Sequence, residues 1–332
     1  MIIDAKNKNL FSGSKLISEP VLDLIKKDLT TNHVVFIGTI QKGSSTSIIC
    51  RDCGYVPICP DCDRSYFLLN QTTLKCPVCS KTQPYPNTCP KCSSSVIKSI
   101  GLGIDRLENH LKPLFPDLPV LKATANQKST KNANTLSQIC QLKKGLVVSD
   151  LLSLKIARFN LNTGSIFLIN IDKLFFYPDY RINEIIYQNI NSLLSKNYSI
   201  HIQTKFSSNP ILAKALADDY QGFFHKEIKL RREKKLPPFT RLLKLSSKDA
   251  SQSKAQKKLQ KLIALPEFKT NSFQLFTGIY PGYPEKINAQ FIFHLLLGFQ
   301  KTWVKNQLDQ PAILKFCRTN KIAIDVDPVS LI

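Results

Sequence analysis

Apolar residues near the start of the chain follow two spacings in succession. Val21, Leu22, Leu24, Ile25 and Leu29 recur three to four residues apart within Ile17 to Leu29, which predicts a helix, and His33 to Ile40 is a short apolar run, which predicts a buried strand. A polar, cysteine-bearing stretch from about Ile48 to Ile100 breaks this pattern. It resumes with Gly101-Leu-Gly-Ile-Asp opening a helix through Leu107, Leu111 and Leu114 to Phe115. Short strands are predicted at 119–122, 145–149, 165–171 and 198–204, and helices at 132–142, 182–194 and 210–235. This alternation predicts an α/β fold with a parallel sheet into which the cysteine stretch is inserted.

Leu236-Pro-Pro-Phe239 closes the long helix and marks a boundary. Beyond it the pattern reads strand 241–246, helix 251–265, strands 272–280 and 290–298, helix 302–317 and strand 321–326. That β-α-β-β-α-β order predicts a ferredoxin-like α+β domain.

Eight of the ten cysteines form four Cys-x-x-Cys pairs, Cys50/Cys53, Cys59/Cys62, Cys76/Cys79 and Cys89/Cys92. Two thiolates on one tight turn can face the same tetrahedral Zn²⁺, so two pairs close a Cys₄ site and four pairs predict two zinc ions. Gly54, Pro60, Asp61, Pro77 and Pro90 suit such turns. A secreted disulfide framework or a redox dithiol would use the same residues. The start of the chain lacks the order of a signal peptide, however, and redox chemistry needs one pair rather than four. A closed Cys₄ site leaves no position for water, so structural metal is the expectation and catalytic metal is not. Cys140 and Cys317 each follow an apolar residue and are read as packing, and His201, His225 and His294 as structural.

Lys and Arg number 46 against 24 Asp and Glu, a formal charge of +22, which favours nucleic acid, an anionic membrane or an acidic partner. With no apolar run of about 18 residues, no membrane span is expected and the protein is read as cytoplasmic. Lys226, Lys229, Arg231, Arg232, Lys234 and Lys235 form a basic run that can neutralise phosphates or can simply be a solvated helix face. Arg51, Arg64, Lys75, Lys81 and Lys91 are interleaved with Tyr55, Tyr66, Phe67 and Tyr85, a mix that suits single strands. Those aromatics can equally pack around the cysteine turns.

Cys-Arg-Asp-Cys-Gly-Tyr-Val-Pro at 50–57, the spacing of the four pairs, Gly101-Leu-Gly, Leu114-Phe-Pro, Leu236-Pro-Pro-Phe and Asp325-Val-Asp-Pro328 together resemble the replication-restart helicase family PriA, or primosomal protein N′. The resemblance runs from the start of that family's second helicase lobe to its C-terminal domain. It implies a degenerate RecA-like lobe over 1–47 and 101–215, a zinc insertion over 48–100, a basic helix and Pro-Pro linker over 216–239 and a C-terminal domain over 240–332. It also implies that Cys50, Cys53, Cys89 and Cys92 hold one zinc while Cys59, Cys62, Cys76 and Cys79 hold the other.

The motor motifs are eroded. No Gly-x-x-x-x-Gly-Lys-Ser/Thr loop occurs, Ser149 to Ile156 keeps only Lys155 of the family's Gly-Thr-Gln motif, and Gln188 to Lys196 replaces the Gly-Arg-Ala-Gly-Arg segment that supplies an arginine to the nucleotide. Asp179-Tyr-Arg181 keeps the family's lead-in. The leading expectation is therefore a noncatalytic, nucleoid-associated DNA-binding protein acting at forked or single-stranded DNA in replication restart, without ATP as a cofactor. One alternative is the second-lobe half of a split helicase. Another is a scaffold for single-stranded-DNA-binding protein or primosome and helicase-loading proteins.

Overall fold

The computed structural model describes residues 1–11, 16–31, 33–39, 47–69, 72–100, 103–123, 137–139, 141–150, 163–177, 179–194, 198–266, 274–275, 277–300 and 311–331. Strands β1 (Ile2–Asp4), β2 (Val34–Thr39), β8 (Val120–Ala123), β9 (Gly145–Asp150), β10 (Thr163–Ile169) and β11 (Ser199–Thr204) form one sheet in the order β1-β11-β10-β2-β9-β8. Each neighbouring pair is parallel. Such a sheet must be covered on both faces, and β2 is accordingly buried at all six positions.

Alternation along the strands divides the core in two. Val34, Phe36, Val147, Ile166 and Leu168 point to one face and pack against Ile186, Ile190 and Leu193 of α3 (Ile182–Leu194) and Leu212 of α4 (Pro210–Leu216). Val35, Ile37, Val148, Phe167 and Ile169 point to the other face, against Leu22, Ile25 and Leu29 of α1 (Glu19–Thr30) and Ile104, Leu107 and Leu111 of α2 (Ile104–Leu111). Gly145 opens β9 at φ +151°, where a Cβ would lie 2.7 Å from the Pro119 carbonyl oxygen.

The predicted helix over 210–235 is two helices. Asp218 sits at φ 53°, and Asp219 Oδ1 accepts the Gly222 backbone N–H at 2.8 Å, so a side-chain cap starts α5 (Tyr220–Glu233) and ends the run of α4. β1 was not read from the sequence and pairs at the sheet edge with β11. Of the helix predicted over 132–142, residues 137–139 are helical with Ile139 buried, while 132–136, Cys140 and most of the degenerate motif over 149–156 lie outside the described residues.

The cysteine stretch leaves and rejoins the sheet unit on an antiparallel ribbon of β3 (Ser47–Cys50) and β7 (Ile97–Ile100). Within it, β4 (Phe67–Leu68), β5 (Thr73–Lys75) and β6 (Thr82–Pro84) make a small antiparallel sheet. Past the two prolines, β12 (Thr240–Asp249), α6 (Gln252–Ile263), β13 (Gln274–Leu275), β14 (Tyr280–Ile287), β15 (Gln290–Gln300), α7 (Pro311–Thr319) and β16 (Ala323–Val326) form a second unit. Its antiparallel sheet places β16 beside β12, β12 beside β15, and both β13 and β14 beside β15. Leu243, Leu245, Phe293 and Leu295 meet Leu259 and Leu262 of α6 and Ile313 of α7.

The strand predicted at 272–280 is displaced. Among the described residues of that span Gln274–Leu275 and Tyr280 are in strand, and Tyr280 opens the long partner of β15, which continues through Pro281 and Pro284, residues that ordinarily argue against a strand. The register shifts between Pro281 and Lys286, which lets the edge strand carry both.

Candidate metal centres

All four Cys-x-x-Cys turns are built alike. The backbone N–H of the first cysteine donates to the carbonyl five residues on, Cys50 to Tyr55 at 2.9 Å and Cys59 to Arg64, Cys76 to Lys81 and Cys89 to Ser94 at 2.8 Å each. The residue after the second cysteine is left-handed in every case: Gly54 (φ 72°), Asp63 (51°), Ser80 (63°) and Ser93 (57°). Only Gly54 advertises that conformation in the sequence. Asp, and less readily Ser, can adopt it, and here each closes a turn that points two sulfurs the same way.

The turns meet in two groups. The Sγ atoms of Cys50, Cys53, Cys89 and Cys92 lie within 4.8 Å of one another, and so do those of Cys59, Cys62, Cys76 and Cys79. Cys50–Cys92, Cys53–Cys89 and Cys59–Cys79 are each 3.6 Å apart. A disulfide would need about 2.05 Å. The edge of a tetrahedron of sulfurs around zinc, with bonds of about 2.3 Å, is about 3.8 Å, so each group could hold a zinc ion. Backbone N–H groups already face the sulfurs, Val78 on Cys76 at 3.5 Å and Lys91 on Cys89 at 3.4 Å.

Electrostatics agree with a cation at the centre. Burial pushes the Cys62 thiol up to about 12 and also raises Cys76, whereas the backbone N–H of Lys81 holds Cys79 low and that of Cys53 lowers Cys50 to about 7. Crowded thiols of this kind cannot all ionise together unless a metal supplies positive charge. The stretch also has little other core. Ile48, Tyr66 and Leu74 are the buried non-cysteine side chains of its cluster, so metal–sulfur bonds would stand in for hydrophobic burial.

The inner group is held from outside as well. The β14–β15 turn sits on its Cys59–Cys62 knuckle, where the Ala289 N–H donates to the Asp61 carbonyl at 2.8 Å and the Asn288 N–H bonds to Cys62. Lys286 Nζ donates to the Pro60 carbonyl at 2.9 Å and pairs with Asp63 at 3.2 Å.

Among the sequence-predicted aromatics, Tyr66 is buried beneath the inner group and Tyr85 donates its hydroxyl to the Ile97 carbonyl at 3.2 Å. Both pack the cysteine stretch. Arg51 is exposed, while the Arg64 guanidinium lies 4.4 Å over the Tyr283 ring. On α5, Lys226 and Lys229 are exposed and border a groove of about 390 Å³ shared with Lys214, Asn183 and Phe223. Arg232 is exposed, with its guanidinium 4.8 Å over the Phe239 ring, and Lys234 and Lys235 are exposed beyond the helix end. Arg231 differs from its neighbours. It turns inward to Glu227 and Glu184, each at 2.9 Å, with its side chain 13% exposed, so its charge is neutralised within the fold.

Cys317 is buried in the second unit, where burial raises its thiol to about 11. His294 is buried against Ser246 at 2.8 Å, and its imidazole is lowered to about 4 chiefly by burial. His201 stacks on Phe167.

No family model matches the chain. Curated proteins do match. It is 27% identical over 342 aligned residues to the replication restart protein PriA of Haemophilus influenzae, covering 99% of this chain and 46% of that relative. The chain resembles PriA over almost its whole length. The PriA of Synechocystis is 27% identical over 315 residues, covering 90% of this chain and 37% of the relative. For the PriA of Borreliella burgdorferi the identity is 22%, covering 100% of this chain and 51% of the relative. The chain thus spans about half the length of these PriA proteins or less, consistent with their C-terminal portion. Among the described residues no helix is long and apolar enough to cross a membrane.

Proposed function

We propose that the chain is a zinc-stabilised, noncatalytic DNA-binding protein of the PriA type, acting in the cytoplasm on forked or single-stranded DNA during replication restart. The observation that carries this reading is the end-to-end similarity to PriA proteins combined with two Cys₄ groups built from that similarity's most specific residues. Two Zn²⁺ ions are its cofactors, one in each group, and they organise the fold.

In this reading, residues 1–47 and 101–215 are a RecA-like second lobe, for which the parallel sheet covered on both faces speaks. Residues 48–100 are the zinc insertion and 216–239 a basic helix with its Pro-Pro linker. Residues 240–332 are a ferredoxin-like C-terminal domain, supported by the sheet order β16-β12-β15-β14. The exposed Lys226, Lys229, Arg232, Lys234 and Lys235, with Arg51 from the zinc insertion, supply backbone contacts that are blind to sequence. Single-stranded-DNA-binding protein and primosome or helicase-loading proteins are the partners such a chain would gather. In this reading ATP is not a cofactor of this chain, because Gln188 to Lys196 replaces the Gly-Arg-Ala-Gly-Arg segment whose arginine would meet the nucleotide.

The test is metal content by elemental analysis together with salt-titrated binding to forked, single-stranded and duplex DNA, with ATP turnover read in the same tubes. Two zincs per chain, preference for the fork or single strand and no turnover are the expected outcome. DNA-stimulated ATP hydrolysis would sink the noncatalytic reading, and absent binding at low salt would leave a protein scaffold.

A further inference from the structure

Chain segments far apart in sequence bring aromatic rings to one stretch of surface where the parallel-sheet unit, the cysteine stretch and the second sheet meet. Phe176, 72% exposed, stands edge-on to Phe206 with ring centroids 5.5 Å apart. Its neighbour Tyr177, 44% exposed, stands edge-on at 6.1 Å to Tyr283 of β14, which is 51% exposed. The Arg64 guanidinium of the inner knuckle then covers Tyr283 at 4.4 Å. Exposed large rings in a row gain little from burial in the free protein and mark a surface that meets something. The carboxylates around the row have partners: Asp63 pairs with Lys286, Asp179 accepts the backbone N–H groups of Arg181 and Leu331, and Asp172 accepts from the Thr204 hydroxyl and the Lys205 N–H. Lys205 is exposed beside Phe206, so with Arg64 on Tyr283 a cation stands at each end of the row.

We infer that Phe176, Tyr177 and Tyr283 form a stacking platform for the unpaired bases of a single strand, with Arg64 and Lys205 beside its phosphates. The chemistry selects this occupant. Every base offers a π-face regardless of sequence, a base in a duplex cannot reach such a ring, and stacking rings with interspersed cations is how single strands are held without base readout. The inference rests on the DNA-binding reading above and adds to it the place where the unpaired arm lies.

The experiment is anisotropy titration of the full zinc-loaded chain with a labelled oligo-dT and with a blunt duplex, for wild type, Y283A, F176A, the double variant and Y283F. A second channel reads quenching of 2-aminopurine placed in the oligo-dT. Loss of one ring is expected to weaken oligo-dT binding by about tenfold, to abolish much of the quenching and to leave duplex binding unchanged. The slope of log Kd against log salt should stay constant because no charge is removed. Y283F should retain wild-type affinity, and matching far-UV spectra exclude a folding defect. Wild-type-like oligo-dT affinity in Y283A and F176A, with the wild type binding well, overturns the platform and leaves the DNA-binding reading standing. A wild type that binds no oligo-dT at low salt but binds the duplex overturns the platform alone, and one that binds neither overturns both.

Discussion

Replacing Arg231 with methionine removes one charge from a cluster that has few other ways to be satisfied. Arg231 meets Glu227 and Glu184 at 2.9 Å each, with side-chain exposures of 13% for the arginine and 10% for Glu227. It also donates to the Pro237 carbonyl at 3.5 Å, tying α5 to the linker. Stranding one partner of a buried pair costs roughly 3–5 kcal/mol. Glu184 keeps Arg181 and Gln188, and Glu227 keeps Asn183, so the lower end of the range, about 3 kcal/mol, is expected for R231M. Glu227→Gln in the same chain should recover more than half of that loss, since it removes the orphaned charge. Urea unfolding followed by far-UV circular dichroism, with hydrogen exchange of the α3 and α5 amides to assign the transition, reads the change. DNA affinity of the folded variant at low salt should stay within about twofold, and its salt slope should not fall by the roughly 0.7–0.9 that loss of one phosphate contact would produce. Undiminished stability with a weakened, flatter salt response would refute the reasoning and make Arg231 a phosphate ligand.

Other outcomes follow from the same structure. Chelating the metal should unfold the cysteine stretch, whose core is otherwise small, with loss of protection at Tyr66 and Leu74 in hydrogen exchange. C62S should also deprotect the Ala289 amide across the interface, whereas C89S should leave it protected; equal effects would mean that the two groups are not separately coupled to the β14–β15 turn. The second sheet should lose stability as pH falls from about 6.5 to about 4, at about 1.4 kcal/mol per pH unit at most. His294 is buried neutral with its folded pKa depressed, Lys244 and Lys248 disfavour its protonation, and H294Q should flatten that window in a pH series of thermal midpoints. Gly145→Ala should lower the thermal midpoint of the parallel-sheet unit by several degrees, because its Cβ meets the Pro119 carbonyl at 2.7 Å; an unchanged midpoint would show that the 119–145 contact yields freely.

Elements whose signals are local were legible in the sequence. The helix over Ile182–Leu194 has the limits its periodicity predicts, and the strands of the parallel sheet other than β1 fall within a few residues of their apolar runs. Each is specified by burial on a fixed period, which one segment carries alone. Features decided by contacts with distant residues were hidden. Pro281 and Pro284 disguised a strand that exists because Gln290–Gln300 offers it an edge. The break at Asp218–Asp219 lay inside an otherwise helical run, because a capping aspartate reads as an ordinary surface residue.

At the site, the spacing of the cysteine pairs announced two metal groups, but the left-handed Asp63, Ser80 and Ser93 that aim them have no composition signal as strong as glycine. The basic run could not reveal that Arg231 faces inward, since its acidic partner Glu184 lies 47 residues away. The exposed rings of Phe176, Tyr177 and Tyr283 were invisible for the same reason: only the packing of three units sets them side by side.

The turn that seats on the inner knuckle also imposes an order of events during synthesis. Lys286 reaches the Pro60 carbonyl across 226 residues, so at about 5–20 residues per second the knuckle leaves the ribosome roughly 10–45 s before its partner exists. All eight sulfurs lie between Cys50 and Cys92 and are available long before then. A chain that meets metal during that interval offers the late hairpin a finished surface on which to dock. One made in a metal-poor cell offers it an unformed one, so the joining of the second sheet to the knuckle waits on metal.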